Sequence, residues 1–488
     1  MDSMNVDTSE DDNSYEDNRA LETILTALQD SGKAVTSDAI KTTLIELLER
    51  QSLQTNQRMP TVRLLSSRLD VSYGMISSIY HQLAVAGYLM MRGRRGTYVL
   101  SRNDDWTNLR HSSSDTADHT ILHDLSLGTP DISLLPGINR FLIMQGQRTA
   151  YIGSYDESSI LSPLADLFRS TWPYPVQALT VVSGAMDGIE RVLRICKANG
   201  SVILLENPTY PPIIHLVRQC GATAIGIDMD DLGISPHSLQ QAIDNCRRHH
   251  QRVSAIITQP RAQNPTGITT TPERIQLLAN ILNNSYASIP QDERPLIIED
   301  DHSGSISTAM AMSMGTYLPE RTVRIQSFSK THGPDLRLAA LSGPNPIVEM
   351  LIRERKLGVG WVSKLLQELL YMMLADSKTN AQILRARKEY EYRRSVLKSL
   401  LLESNISISA GDGLNVWMAV RSEEQAINFL LSKGIKVRRG SDFNVQATFP
   451  DYSDHRVAPE HIRITIAGIK AEQISDIVPL LKQAAEKQ

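Results

Sequence analysis

From about residue 121 onward, short aliphatic runs alternate with longer helical stretches, and each run ends in polar or charged side chains. Leu179-Thr-Val-Val leads to Ser183-Gly184-Ala185, and Ser201-Val-Ile-Leu-Leu to Glu206-Asn-Pro-Thr-Tyr210. Val253-Ser-Ala-Ile-Ile leads to Asn264-Pro-Thr-Gly267, Leu296-Ile-Ile to Asp300, and Val323-Arg-Ile to Ser327 and Lys330. Strands apolar on both faces and separated by helices are covered only in a doubly wound α/β domain. In open sheets of that kind ligands bind outside the carboxyl ends of the strands, so five polar strand endings predict one shared pocket.

At 488 residues the chain is too long for one ordinary domain, so two or three units are expected. Its three cysteines, Cys196, Cys220 and Cys246, form no CxxC pair, which argues against a disulfide framework or a metal site and for a reducing compartment. No run approaches the ~20 apolar residues of a membrane span, and the N-terminus is acidic rather than basic and then apolar. The expectation is a soluble cytoplasmic protein with no membrane partner.

Net charge is only −4, but it is unevenly placed. Seven of the first twenty residues are Asp or Glu, mixed with Ser and Asn, which predicts a disordered acidic tail over 1–20. Residues 36–100 carry eight Lys or Arg against four acids, a formal +4. Within 21–100, Leu21, Ile24, Leu25 and Leu28 mark one amphipathic helix and Ile40, Leu44, Leu47 and Leu48 a second. Arg58-Met-Pro-Thr-Val-Arg63 through Leu69-Asp70-Val71-Ser72 then predicts a short helix, a turn at Asp70, and Ser72 capping a further helix to Gly87. Two short strands follow, Tyr88 to Met91 and Thr97 to Leu100, with Arg92, Arg94 and Arg95 at the tip between them. Helix, turn, helix and basic hairpin make a winged helix, a module that binds double-stranded DNA. The polar stretch 101–120 is expected to be a linker to a body over 121–488.

The winged helix resembles the DNA-binding domain of the GntR family. Met59-Pro60-Thr61-Val62-Arg63, Leu69-Asp70-Val71-Ser72 and Gly93-Arg-Arg-Gly96-Thr97-Tyr98-Val99 stand where that family has its opening, turn and wing motifs. The resemblance implies promoter contacts by Arg63, Ser72, Tyr73, Ser77, Ser78 and Thr97 and by the wing arginines Arg92, Arg94 and Arg95. Tyr73 replaces the arginine the family usually has after that serine, and from Tyr73 to Tyr88 there is no Lys or Arg. A winged helix kept only for dimerisation or docking is the competing reading.

Lys330 has company that no other lysine here has: Arg337 seven residues on, and Asp300 thirty residues upstream at another strand end. A lysine that attacks an aldehyde, a carboxylate that keeps a pyridine nitrogen protonated, and cations and amides for a phosphate are what a pyridoxal phosphate (PLP) pocket needs. The five strand endings together resemble fold type I aminotransferases, with large and small domains, the small one roughly 385–488. Joined to a GntR-like head, they resemble the MocR/GabR subfamily of regulators over nearly the whole chain. That resemblance implies that Lys330 bonds PLP covalently, Asp300 pairs with its pyridine nitrogen, Asn264 bonds its phenolic oxygen and Tyr210 stacks on its ring. Ser183, Gly184, Ala185, Ser327 and Arg337 would hold the phosphate, and Tyr155 would reach the phosphate of a partner subunit, implying a homodimer. Arg463 matches the arginine that grips an amino-acid carboxylate with a planar fork. His302 stands where the family commonly has a tyrosine, and its ring would donate to the phenolic oxygen in the tyrosine's place.

The fusion favours a transcriptional regulator that senses PLP or an amino compound condensing with it. The alternative is a PLP enzyme acting at the α-carbon of an amino acid, with a vestigial winged helix. A DNA repressor on a ligand-blind scaffold is the third reading, and it leaves Lys330, Asp300 and Arg337 without a purpose.

Overall fold

In a computed structural model the chain is described for residues 9–30, 35–49, 52–54, 57–85, 88–91, 96–99, 121–147, 158–403, 406, 408–409, 411–445 and 460–487. It divides into two compact units, Met1–Ser114 and Asp115–Gln488.

The first unit is a winged helix. Helices Ser9–Asp30, Ser37–Glu49, Val62–Leu69 and Tyr73–Val85 precede an antiparallel hairpin in which Leu89 pairs with Val99 and Met91 with Thr97. The first helix takes in much of the acidic stretch expected to be disordered tail. Thr61 Oγ1 caps the third helix by accepting from Leu64 N at 3.2 Å, and Asp70 ends it in the left-handed conformation. Ser72 Oγ then accepts from Met75 N at 3.2 Å, starting the fourth helix as its sequence predicts. Leu21, Ile24, Ile40, Leu44, Leu65, Ile76, Ile79 and Leu83 are fully buried together. Each such side chain contributes roughly 1.5–3 kcal/mol of transfer free energy against the entropy cost of ordering the chain. Leu64 and Val71 are half-buried and pack against this core.

The second unit is built on an eight-stranded sheet. Its order is Ala178–Val182, Ala339–Gly343, Thr322–Ser327, Leu296–Asp301, Val253–Thr258, Val202–Asn207, Thr223–Asp230 and Gly233–Ile234. The five strands from Thr322–Ser327 to Thr223–Asp230 pair in parallel, and Ala339–Gly343 runs antiparallel to both its neighbours. Helices cover both faces, so Val253–Thr258 and Leu296–Asp301 are buried at every position. A smaller antiparallel sheet, in the order Asn415–Val420, Glu460–Thr465 and Arg438–Arg439, packs with Ser377–Leu402, Glu423–Ser432 and Ile474–Glu486 around a second core. His123–Asp124 pairs in parallel with Ile435–Lys436, so the chain enters this unit alongside the smaller sheet.

Candidate functional site

Strand register brings the predicted pocket residues to one end of the large sheet. Ser327 pairs with Ala339 and Ala339 with Val182, so Ser183 and Arg337, each one or two residues beyond that row, sit beside it. Ile325 pairs with Asp300, and Thr258, just before Gln259, pairs with Glu299. All lie at the carboxyl ends of the parallel strands, where such sheets bind ligands.

Asp300 is fully buried, and its Oδ2 accepts from the Gln259 side-chain amide at 2.8 Å. Burial pushes its carboxyl up to about 6, an effect that the Gln259 hydrogen bond only partly offsets. Its Oδ1 is buried and has no protein partner. An unpaired carboxylate oxygen inside a pocket is a poor structural choice and a good one for a protonated pyridine nitrogen. Lys330 Nζ donates to the Gly128 carbonyl at 2.7 Å. Burial, reinforced by the charge of Arg463, brings its amine down to about 8, so a useful fraction is neutral near physiological pH.

Gly184 precedes the helix Ala185–Ile195 at φ 97°, and no side chain caps that helix. A Cβ on Gly184 would lie 2.7 Å from Arg337 Nη2, so only glycine lets this guanidinium reach the helix N-terminus. Arg337 itself sits at φ 48°, a left-handed conformation that costs a non-glycine residue of order 1 kcal/mol and aims the side chain here. Uncapped amides at a helix start, an arginine, and the hydroxyls of Ser183 and Ser327 are the donor set of a phosphate cradle. The Ser183 amide is already donated to Asp187 Oδ2 at 2.9 Å, so the backbone donors begin at Gly184 and Ser183 can contribute only its hydroxyl.

Arg463, in the middle strand of the smaller sheet, is buried at 3 % exposure rather than on a surface. Its Nη1 donates to Asn264 Oδ1 at 3.2 Å and its Nη2 to the Ser126 carbonyl, while the Phe443 ring lies 5.1 Å from its guanidinium carbon. Asn264 is thereby oriented with its oxygen on Arg463. Its backbone amide is held by Gln259 Oε1 at 2.8 Å. Tyr210 is half-buried just before the helix Pro211–Gln219, close enough to interact electrostatically with Arg463. Tyr155 lies outside the described residues.

His302 does not take the tyrosine's role. Its Nε2 lies 2.9 Å from the Ala262 carbonyl, which can only accept, so the proton sits on Nε2 and Nδ1 is left as a buried acceptor without a partner. Burial, with the Lys330 charge, brings the ring down to about 3, so it stays neutral and has no second proton to donate.

Several residues of the pocket carried no recognisable signal in the sequence. Asp301 is wholly buried and held by Arg261 through Nε–Oδ1 at 2.8 Å and Nη2–Oδ2 at 2.7 Å, and by Arg324 Nη2 at 2.7 Å. It is a structural acid. Glu206 receives the Gln259 backbone amide at 3.0 Å, and burial raises its carboxyl to about 7. These partners lie tens of residues apart, and only strand order brings them together.

In the winged helix, Arg63, Ser72, Tyr73 and Ser78 are exposed and Ser77 and Thr97 are half-buried. Arg92, Arg94 and Arg95 lie outside the described residues. Lys41, which sequence reasoning passed over, donates its Nζ to Gln82 Oε1 at 2.8 Å, and Gln82 Nε2 donates to Ser78 at 3.2 Å. The second helix therefore delivers a cation to a recognition helix that has none of its own.

Fold and pocket together define a PLP-binding protein of the aminotransferase type carrying a DNA-binding head. Residues 124–479 match the family model for aminotransferase class I and II, and residues 36–99 that for bacterial regulatory proteins of the gntR family. The chain belongs to the MocR-type PLP-dependent transcriptional regulators, in which these two domains are fused. It is 31 % identical over 447 residues to the vitamin B6 salvage pathway transcriptional repressor PtsJ of Salmonella typhimurium, covering 89 % of this chain and 95 % of that one. It is 24 % identical over 410 residues to the HTH-type pyridoxine biosynthesis transcriptional regulator PdxR of Corynebacterium glutamicum, covering 80 % and 85 %. The multiple substrate aminotransferase of Thermococcus profundus shares the fold of the larger unit, with a TM-score of 0.66 at 19 % identity over 79 % of this chain and 94 % of that one. No described helix is long and apolar enough to cross a membrane.

Proposed function

We propose that this regulator senses PLP itself, or an amino compound that condenses with it, and that ligand binding changes how its winged helix occupies promoter DNA. The observation that carries the reading is the unpaired Asp300 Oδ1 in a pocket shared with the Lys330 amine, in a chain that also has a DNA-binding head. The names of PtsJ and PdxR, both tied to vitamin B6 metabolism, support PLP as the signal.

In this reading Lys330 fixes the cofactor through its amine, and Asp300 keeps the pyridine nitrogen protonated. Asn264 bonds the phenolic oxygen and Tyr210 covers the ring. Gly184, Ala185, Ser183, Ser327 and Arg337 hold the phosphate, with Tyr155 contributing from a partner subunit of a homodimer. Bound PLP would supply an electron-withdrawing ring. The head contacts promoter DNA through Arg63, Lys41, Tyr73, Ser77, Ser78 and the wing, with 101–120 as the linker, in the cytoplasm.

An electrophoretic shift of the chain's own upstream DNA, with and without PLP, tests this next to an absorbance scan of the purified protein. A PLP-dependent change in shift, alongside a yellow band, is the expected result. A second reading, chemistry at the α-carbon of an amino acid, is favoured by the buried Arg463. Turnover of an amino acid by a protein that shifts no DNA would select it.

A further inference from the structure

Two ligand-facing cations of the pocket, Lys330 and Arg463, are engaged by one short piece of the chain's own backbone. Lys330 Nζ donates to the Gly128 carbonyl at 2.7 Å, and Arg463 Nη2 donates to the Ser126 carbonyl. Gly128 sits at φ 64° so close to Arg463 that a Cβ there would lie 3.2 Å from Nη1 and 3.5 Å from both Cζ and Nη2. Near-equal distances to three atoms mean that the Gly128 turn lies over the guanidinium. Arg463 Nε is buried and unpartnered beneath it. A buried N–H without a partner is an uncommon arrangement, and it leaves a donor ready for an incoming carboxylate.

The strap is held at two points. Leu125 N donates to the Lys436 carbonyl at 2.7 Å and Thr465 N to the Leu125 carbonyl at 2.8 Å, anchoring its start to the smaller sheet. The Gly128 amide donates to Thr465 Oγ1 at 3.0 Å, and that hydroxyl donates onward to Asn415 Oδ1 at 3.2 Å. Thr465 is thus the peg that keeps the Gly128 carbonyl turned to Lys330.

We propose that Ser126–Gly128 is an internal competitor that sets the ligand preference of the pocket, its carbonyls standing against PLP at Lys330 and against a carboxylate at Arg463. The proposal rests on the reading of this pocket as a PLP site. When Nζ attacks the aldehyde carbon of PLP, a C=N bond forms and the carbonyl oxygen leaves as water with the two hydrogens of the neutral amine. Gly128 then loses its donor. A carboxylate needs more, because it reaches Arg463 only after the Gly128 turn has lifted and Ser126 has given up Nη2. The pocket therefore takes PLP first, and admits an amino acid only against the strap.

Hydrogen exchange of the full chain, with and without saturating PLP, tests this at the Gly128 amide. The expected result is exchange about fivefold faster once the yellow band has formed, in keeping with the loss of one hydrogen bond. Thr465→Val, which removes the peg, is expected to tighten PLP binding about fivefold and to tighten binding of L-alanine to the PLP-loaded protein, read from the cofactor's absorbance. A merely structural Thr465 would give the opposite sign. Unchanged or slower exchange in a yellow wild type overturns the proposal and leaves the PLP reading standing, as does equal or weaker PLP binding by a folded Thr465→Val. Absence of a yellow band overturns the PLP reading and the proposal with it. Should the variant not fold, the wild-type exchange decides.

Discussion

Asp300 and Asp301 are neighbours on one strand, yet they face opposite sides of the sheet and their acidities are driven apart. Burial alone would raise both. At Asp301 it is overcome by Arg324 and Arg261, which bring the carboxyl down to about 2. At Asp300 burial prevails over the Gln259 amide and the more distant charges of Lys330 and Arg324, and the carboxyl rises to about 6. One acid has its compensating charges built in, and the other has room for a charge brought by a ligand.

This contrast predicts opposite consequences for the same substitution. Asp301→Asn leaves Arg324 and Arg261 short of their shared counter-charge and should cost roughly 3–5 kcal/mol of stability by chemical denaturation. Asp300→Asn relieves a poorly solvated charge and should change stability by less than about 1 kcal/mol, while weakening PLP binding by an order of magnitude or more in absorbance titrations. Equal losses of stability in the two variants would contradict the assignment.

Lys330→Ala should abolish the absorbance band of the bound cofactor and any linkage that borohydride can trap. In the wild type, the rate of covalent capture should rise with pH through about 8 and level off above it, rather than climb toward the ordinary lysine value. The linkage has a definite sign. The folded amine has the lower pKa, so the unfolded chain binds more protons above pH 8, and stability gains with rising pH until the unfolded lysine also deprotonates. Lys330→Met should remove that gain, measured as the difference between pH-dependent denaturation curves.

The recognition helix lacks cations, so phosphate attraction must come from around it. Neutralising Arg92, Arg94 and Arg95 should abolish promoter binding and leave PLP uptake unchanged. Lys41→Ala should weaken binding on all sequences and lower the slope of log affinity against log salt by about 1. Tyr73→Ala should relax sequence preference without altering that slope, as measured by binding to a set of operator variants.

A homodimer is expected from light scattering at micromolar concentration, since Tyr155 is assigned to the pocket of a neighbouring subunit and paired winged helices read paired half-sites. A monomer that retains tight PLP binding would exclude that role for Tyr155.

The sequence by itself determined the strand and helix alternation, the winged-helix signals at Thr61, Asp70 and Ser72, and the chemistry of Lys330, Asp300 and Arg337, because periodicity, capping and turn preferences are properties of short segments. Only the tertiary structure decided what those groups touch. The partners of Asp301 at Arg261 and Arg324, the cation that Lys41 brings to Gln82, and the neutral donor state of His302 all depend on strand order and long-range closure of the chain. The same holds for Ser126 and Gly128, which look like ordinary turn residues until the parallel pairing of His123–Asp124 with Ile435–Lys436 lays them across Lys330 and Arg463. Register between distant segments is set by how both bury their apolar faces at once, and no local stretch of sequence contains that information.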